Sequence, residues 1–253
     1  MVLLPLVGLV IGAILVLVRF ALAWIGTPDL INGAVLTCVY IFLTGGLHFD
    51  GLADTFDGIF SGRTKEQSLE IMKDSRIGVF GTLGIIMAGI FYFALFTGIP
   101  IGGLLAFPVC GRACCLISAS IASYAREDGM GKAASTQSGS GPIISAAVSI
   151  IGVSFLLMPL FFLAYILGGG FFQALDYRYL VLSRILSISD FYALPVTASL
   201  IACAAAVFIT VLMTREFKKK LGGVTGDTFG AVIEVSSLVY MFAFIVLWGA
   251  LPL

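Results

Sequence analysis

Apolar residues run along this chain in blocks of about twenty, the length an α-helix needs to cross the ~30 Å hydrocarbon core of a bilayer. Seven such blocks are predicted as spans: residues 3–26, 30–49, 79–98, 101–123, 142–168, 191–213 and 228–250. Thr27-Pro28-Asp29 and Gly98-Ile99-Pro100 read as tight turns between them. Residues 50–78, 124–140 and 214–226 are too polar to cross. The second span is predicted to run straight into the first of these polar segments. Inside it, Thr64-Lys65-Glu66-Gln67 has the pattern of a capping box opening a short amphipathic helix over 65–74, with Leu69, Ile71 and Met72 toward the membrane surface. The mixed stretch 171–188 reads as a second interfacial helix. The expected fold is all-α: a polytopic membrane helix bundle forming one domain over 1–253, without an internal repeat.

Composition agrees with the pattern. Hydrophobic residues make up 60% of the 253, and mean hydropathy is +1.11, against ~45–50% apolar residues in a soluble domain. Zero formal net charge argues against nucleic acid as a partner. The five cysteines, Cys38, Cys110, Cys114, Cys115 and Cys203, all fall in apolar blocks and read as small buried hydrophobes. No charged stretch precedes the first block, which reads as a span and not as a removable signal. Arg19, near the end of that block, has to pair or snorkel. The polar segments 50–78, 124–140 and 214–226 carry ten lysines and arginines, the opposite loops only Arg178 and Arg184. The positive-inside bias puts all three segments on the cytoplasmic side.

Chemistry concentrates in those segments. Asp50, Asp54 and Asp57 are four and three residues apart and share one helical face, where like charges repel unless a cation lies between them. His48, the only histidine, precedes them: a general base by one reading, a hydrogen-bonded interfacial residue by the other. A second cluster, Leu221 to Glu234, holds Gly222, Gly223 and Gly226, which allow close backbone approach. Thr225 or Asp227 would cap the last helix, whose free N–H groups suit phosphate. Glu234, seven residues beyond Asp227 and two turns into the last span, is functional by default at that depth. Asp74 and Arg76 bracket the entry to the third span, either as site residues or as ordinary loop charge. Arg112, in mid-span, needs an acid or a phosphate, and Arg126 follows the fourth span. Acids alone would suit a cation transporter. Acids with arginines and glycine-rich phosphate loops fit metal-assisted phosphoryl transfer better.

At these residues the chain resembles the cobalamin synthase family, the adenosylcobinamide-GDP ribazoletransferases. The matching stretches are Gly45 to Gly58, Ile71 to Gly78, Gly111-Arg112, Tyr124-Ala125-Arg126 with Gly129, and Gly222 to Ala231 with Glu234. In order and spacing they cover nearly the whole chain. The family's usual opening stretch before the first span has no counterpart here, since the sequence begins almost at Leu4-Pro5. The resemblance implies a transferase that joins α-ribazole, or its 5′-phosphate, to adenosylcobinamide-GDP with release of GMP. It implies Mg²⁺, a multi-pass place in the cytoplasmic membrane of a bacterium or archaeon, and an active site on the cytoplasmic side. A homo-oligomer or association with other cobalamin-pathway enzymes is compatible with it. Transferred to this chain, the metal ligands would be Asp50, Asp54, Asp57, Asp227 and Glu234, with His48, Asp54 and Asp50 catalytic. Asp74, Arg76, Arg112, Arg126, Gly223, Thr225 and Gly226 would contact phosphate or nucleotide. A more distant likeness to the CDP-alcohol phosphotransferases keeps a lipid head-group transferase as the alternative.

Overall fold

The structure, a computed structural model, describes residues 2–126, 140–166 and 188–249. Among these residues it is helical apart from a single bridge between Tyr124 and Val224. Nine helices follow in order: α1 (Leu4–Trp24), α2 (Asp29–Leu43), α3 (Leu47–Phe60), α4 (Lys65–Ile71), α5 (Val79–Gly98), α6 (Ile101–Ile121), α7 (Ser140–Ile166), α8 (Ile188–Leu221) and α9 (Gly226–Gly249). By length and composition α1, α5, α6, α9 and the Pro195–Leu221 part of α8 can each cross a membrane. With α2 and the 27-residue α7 they account for the seven expected apolar blocks. The protein is a multi-pass membrane bundle.

α6 is the central helix. It packs against α1, α7, α8 and α9, and all but a few of its residues are buried. Arg19 on α1 finds the partner its depth requires in the carbonyl of Phe96, to which it donates at 2.8 Å. The loop expected at 127–139, with Gly129, and the interfacial helix expected at 171–188, except its last residue, lie outside the described residues.

The structure corrects two expectations. The second span does not run straight into the acidic motif; it stops at Leu43, and α3 leaves at 87° to α2. Gly45 and Gly46 make the corner with φ of 61° and 70°, a region that residues with a Cβ avoid. At fourteen residues α3 is about 21 Å long, too short to span, and it carries three carboxylates. It packs against α5 and α9. The second correction concerns 214–226, which is not a loop throughout. α8 continues to Leu221 because Phe217 and Leu221 are buried on it, and its last turn carries Lys218, Lys219 and Lys220, where the helix dipole favours cations.

Candidate active site

The site is built where α3 crosses α9. The two helices touch through glycines: a Cβ on Gly51 would lie 2.7 Å from the carbonyl oxygen of Asp227, and one on Gly230 would lie 3.2 Å from the Cα of His48. Any side chain at Gly51 would push the helices apart. This contact brings the acidic motif onto the start of α9, across more than 170 residues of sequence. Thr225 caps that start, its hydroxyl accepting from the Thr228 N–H while the Thr228 hydroxyl accepts from the Thr225 N–H. Thr225 thus takes the capping role, which leaves Asp227 to bond elsewhere. Arg126 donates to Asp227 at 2.8 Å. It is delivered there by a two-residue pairing in which Val224 donates to Ser123 and Ala125 donates to Val224. Gly223 permits that pairing, since a side chain there would strike the Ser123 carbonyl. Its tight approach therefore serves chain against chain, whereas Gly226 faces open space.

The electrostatics at the crossing are those of uncompensated acid. The Asp54 carboxyl is pushed up to about 7, first by burial and then by the charges of Asp227, Asp50 and Asp57, with Arg126 opposing. The oxygen-only donor set and its mutual repulsion fit a hard divalent cation. Among the described residues no three acids are drawn to common metal-ligand distances. His48 is pushed down to about 4 by burial and by the charge of Arg112, so it is neutral and a feeble base near neutral pH.

Other expected site residues lie elsewhere. Asp57 is buried, and its two oxygens accept from the N–H groups of Gly78 at 2.7 Å and Gly81 at 2.9 Å; it fastens α3 to the start of α5. Asp74 and Arg76 are closed on each other in the exposed loop before α5, the guanidinium gripping both carboxylate oxygens and holding Asp74 down at about 2. Glu234 is fully buried below the crossing, where it accepts from the Tyr40 hydroxyl at 3.1 Å. Tyr92 donates to its backbone carbonyl at 3.4 Å. Arg112 is 2% exposed and donates to the Pro108 carbonyl. Glu234, Tyr40, Tyr92 and Arg112 form a buried polar layer.

Two residues escaped the sequence reading. Tyr40 lies inside an apolar run, and only the 87° turn after α2 reveals that it faces Glu234. Lys65 was read as part of an amphipathic helix; its ammonium reaches Gly222, close enough that a Cβ there would sit 2.6 Å from Nζ. Proximity in sequence to the capping box was the available signal, and it pointed to local structure.

The site is thus a carboxylate cluster with an arginine at the capped start of a helix, in a membrane helix bundle. The comparisons with known proteins add the family. The cobalamin-5-phosphate synthase family matches residues 1–245, and the chain belongs to that family. It is 35% identical to an adenosylcobinamide-GDP ribazoletransferase of Acetivibrio thermocellus, over 95% of this chain and 84% of that protein. The protein of the same name from Alkaliphilus oremlandii is 37% identical over 95% and 83%, and that of Fusobacterium nucleatum 33% over 96% and 86%. No solved structure matches this chain.

Proposed function

We propose that the chain closes the nucleotide loop of coenzyme B12. A ribose hydroxyl of α-ribazole, or of its 5′-phosphate, displaces GMP from adenosylcobinamide-GDP to give adenosylcobalamin or its 5′-phosphate. One observation carries the reading: Asp50 and Asp227 stand within electrostatic reach of Asp54 at a glycine-lined contact between α3 and the start of α9. The names of the relatives support the substrates.

The new bond joins the ribose oxygen to the cobinamide-side phosphorus, the anhydride bond to the GMP phosphate breaks, and the hydroxyl proton goes to a carboxylate. Asp54 is the proposed acceptor, because burial and the charge of Arg112 hold His48 at about 4, too low for a base at neutral pH. Asp50 and Asp227 would hold Mg²⁺, which when bound neutralises charge on the diphosphate and on the departing GMP. Arg126 keeps a buried Nε that has no partner among the described residues, a donor suited to a substrate phosphate. The first turn of α9, at Gly226 and Asp227, would add the positive end of the helix dipole. Lys65 adds a second cation at the glycine-rich turn. The charge bias of the loops supports a site on the cytoplasmic face of the cell membrane.

The test is incubation of the reconstituted protein with adenosylcobinamide-GDP, α-ribazole and Mg²⁺. Equimolar cobalamin and GMP are expected, with none when Mg²⁺ is chelated. Absence of GMP, or consumption of a CDP-activated lipid in its place, overturns the proposal.

A further inference from the structure

On the far side of α3 from the acid cluster, α3, α8 and α9 enclose a groove of about 410 Å³, within the range of small-molecule pockets. Its walls are apolar: Phe56 and Phe60 from α3, Met213 and Leu212 from α8, and Val235 from α9. Polar groups occur at three places only, Thr55, Glu216 and Lys220. A base or sugar would find almost nothing to hydrogen-bond along such walls, whereas a hydrocarbon chain needs nothing more.

Charge and depth identify the occupant. Along α8, Ile209, Val211, Leu212 and Met213 are apolar with Thr210 buried among them, and basic residues begin at Arg215 and continue through Lys218, Lys219 and Lys220. The groove therefore sits where hydrocarbon gives way to headgroups. Phe208 and Phe60, 66% and 53% exposed, continue its apolar surface outward. Lys220 is folded over the mouth: its ammonium donates to the Ile59 carbonyl at 3.3 Å and lies 5.9 Å from the centre of the Phe60 ring. Although Glu216 is four residues away on the same helix, no ion pair forms between them among the described residues. The cation is positioned and left without a counter-anion.

We propose that this groove binds an anionic glycerophospholipid, with an acyl chain between Phe56 and Met213 and the phosphate on Lys220. Binding would steady α3, since Thr55 and Phe56 flank Asp54 on that helix, and so would support turnover at the neighbouring site. The proposal does not depend on which substrate the acid cluster takes.

The experiment uses the full chain in neutral detergent, titrated with phosphatidylglycerol or phosphatidylcholine while thermal unfolding and retained lipid are followed. Phosphatidylglycerol should raise the melting temperature in a saturable way and remain bound through purification, and phosphatidylcholine should do neither. Lys220→Gln should weaken phosphatidylglycerol about fivefold, the factor equivalent to ~1 kcal/mol per basic residue at an anionic surface. Met213→Trp, which fills the groove but keeps the charge, should abolish saturation. Equal stabilisation by both lipids, unchanged affinity in Lys220→Gln, or displacement of the bound lipid by α-ribazole each overturns the assignment.

Discussion

Asp54 and Glu234 are both acids enclosed by a helix bundle, on helices that touch, yet their surroundings are opposite. Around Asp54 stand three more carboxylates and one arginine. Around Glu234 stand the hydroxyls of Tyr40 and Tyr92 and the buried Arg112. The Tyr40 hydroxyl gives one Glu234 oxygen a fixed donor and ties α2 to α9, while the second oxygen is buried without a hydrogen-bond partner among the described residues. An acid provided with more acids is satisfied only when a cation or a proton arrives. In the sequence, carboxylate spacing singles out Asp54 and depth singles out Glu234. On the proposed reading the chemistry belongs to the upper acid, and the lower one joins α2 to α9 through Tyr40.

The largest effect should separate the two at once. Asp54→Asn should lower GMP release on the order of 10²-fold or more, the scale of removing a charge-stabilising group from a reaction site, with thermal stability unimpaired. Retained turnover would move the chemistry off α3. Gly51→Val should follow, because the added atoms meet Asp227 backbone and part the two helices. About 1–3 kcal/mol of stability should go, as in overpacked cores, and turnover of the remaining folded protein should fall with it. A variant that is fully active would show the crossing is not the site.

Asp57→Ala tests the boundary between the regions. It leaves the Gly78 and Gly81 N–H groups unpaired at the start of α5, so a loss of about 1–2 kcal/mol is expected from thermal unfolding, the cost of a lost helix cap. The folded remainder should keep much more activity than Asp54→Asn. Abolished turnover at unchanged stability would return Asp57 to the metal. For the lower layer, Tyr40→Phe removes one buried hydrogen bond to an acid and should cost about 1 kcal/mol. Its effect should appear in the melting temperature while Mg²⁺ dependence stays as it was.

Much of this was legible in the sequence, for definite reasons. Twenty-residue apolar blocks announce spans because a bilayer leaves the backbone no alternative to the helix, and Asp50, Asp54 and Asp227 stand out against so apolar a background. The corner at Gly45 and Gly46 was not legible, because two glycines after a span are equally consistent with a straight continuation, and without that corner Tyr40 is one more aromatic in an apolar run. Nor could spacing show that Asp57 faces α5 while Asp54 faces α9. A helical face spans a wide arc, and residues on it three apart can meet different neighbours. The pairing of Arg126 with Asp227 depends on a two-residue bridge between distant loops, which no local pattern encodes.

The smallest expected effect is a slope of stability with pH, which can be followed without any substrate. In the metal-free protein the Asp54 proton affinity rises on folding from the ordinary 3.8 to about 7, first through burial and then through Asp227, Asp50 and Asp57. The folded state therefore binds more protons than the unfolded chain between those values. The stability contributed by the protonated carboxyl is complete below the lower value and is lost as pH rises through the upper one. The melting temperature of chelator-treated protein should accordingly decline gently over that interval. Mg²⁺ should oppose the decline by discharging the cluster, and Asp54→Asn should reduce it because asparagine has no proton to lose. Tyr40→Phe should shift the whole curve down, since it removes a buried donor to the lower acid. A slope undiminished in Asp54→Asn would locate the titrating charge outside the crossing.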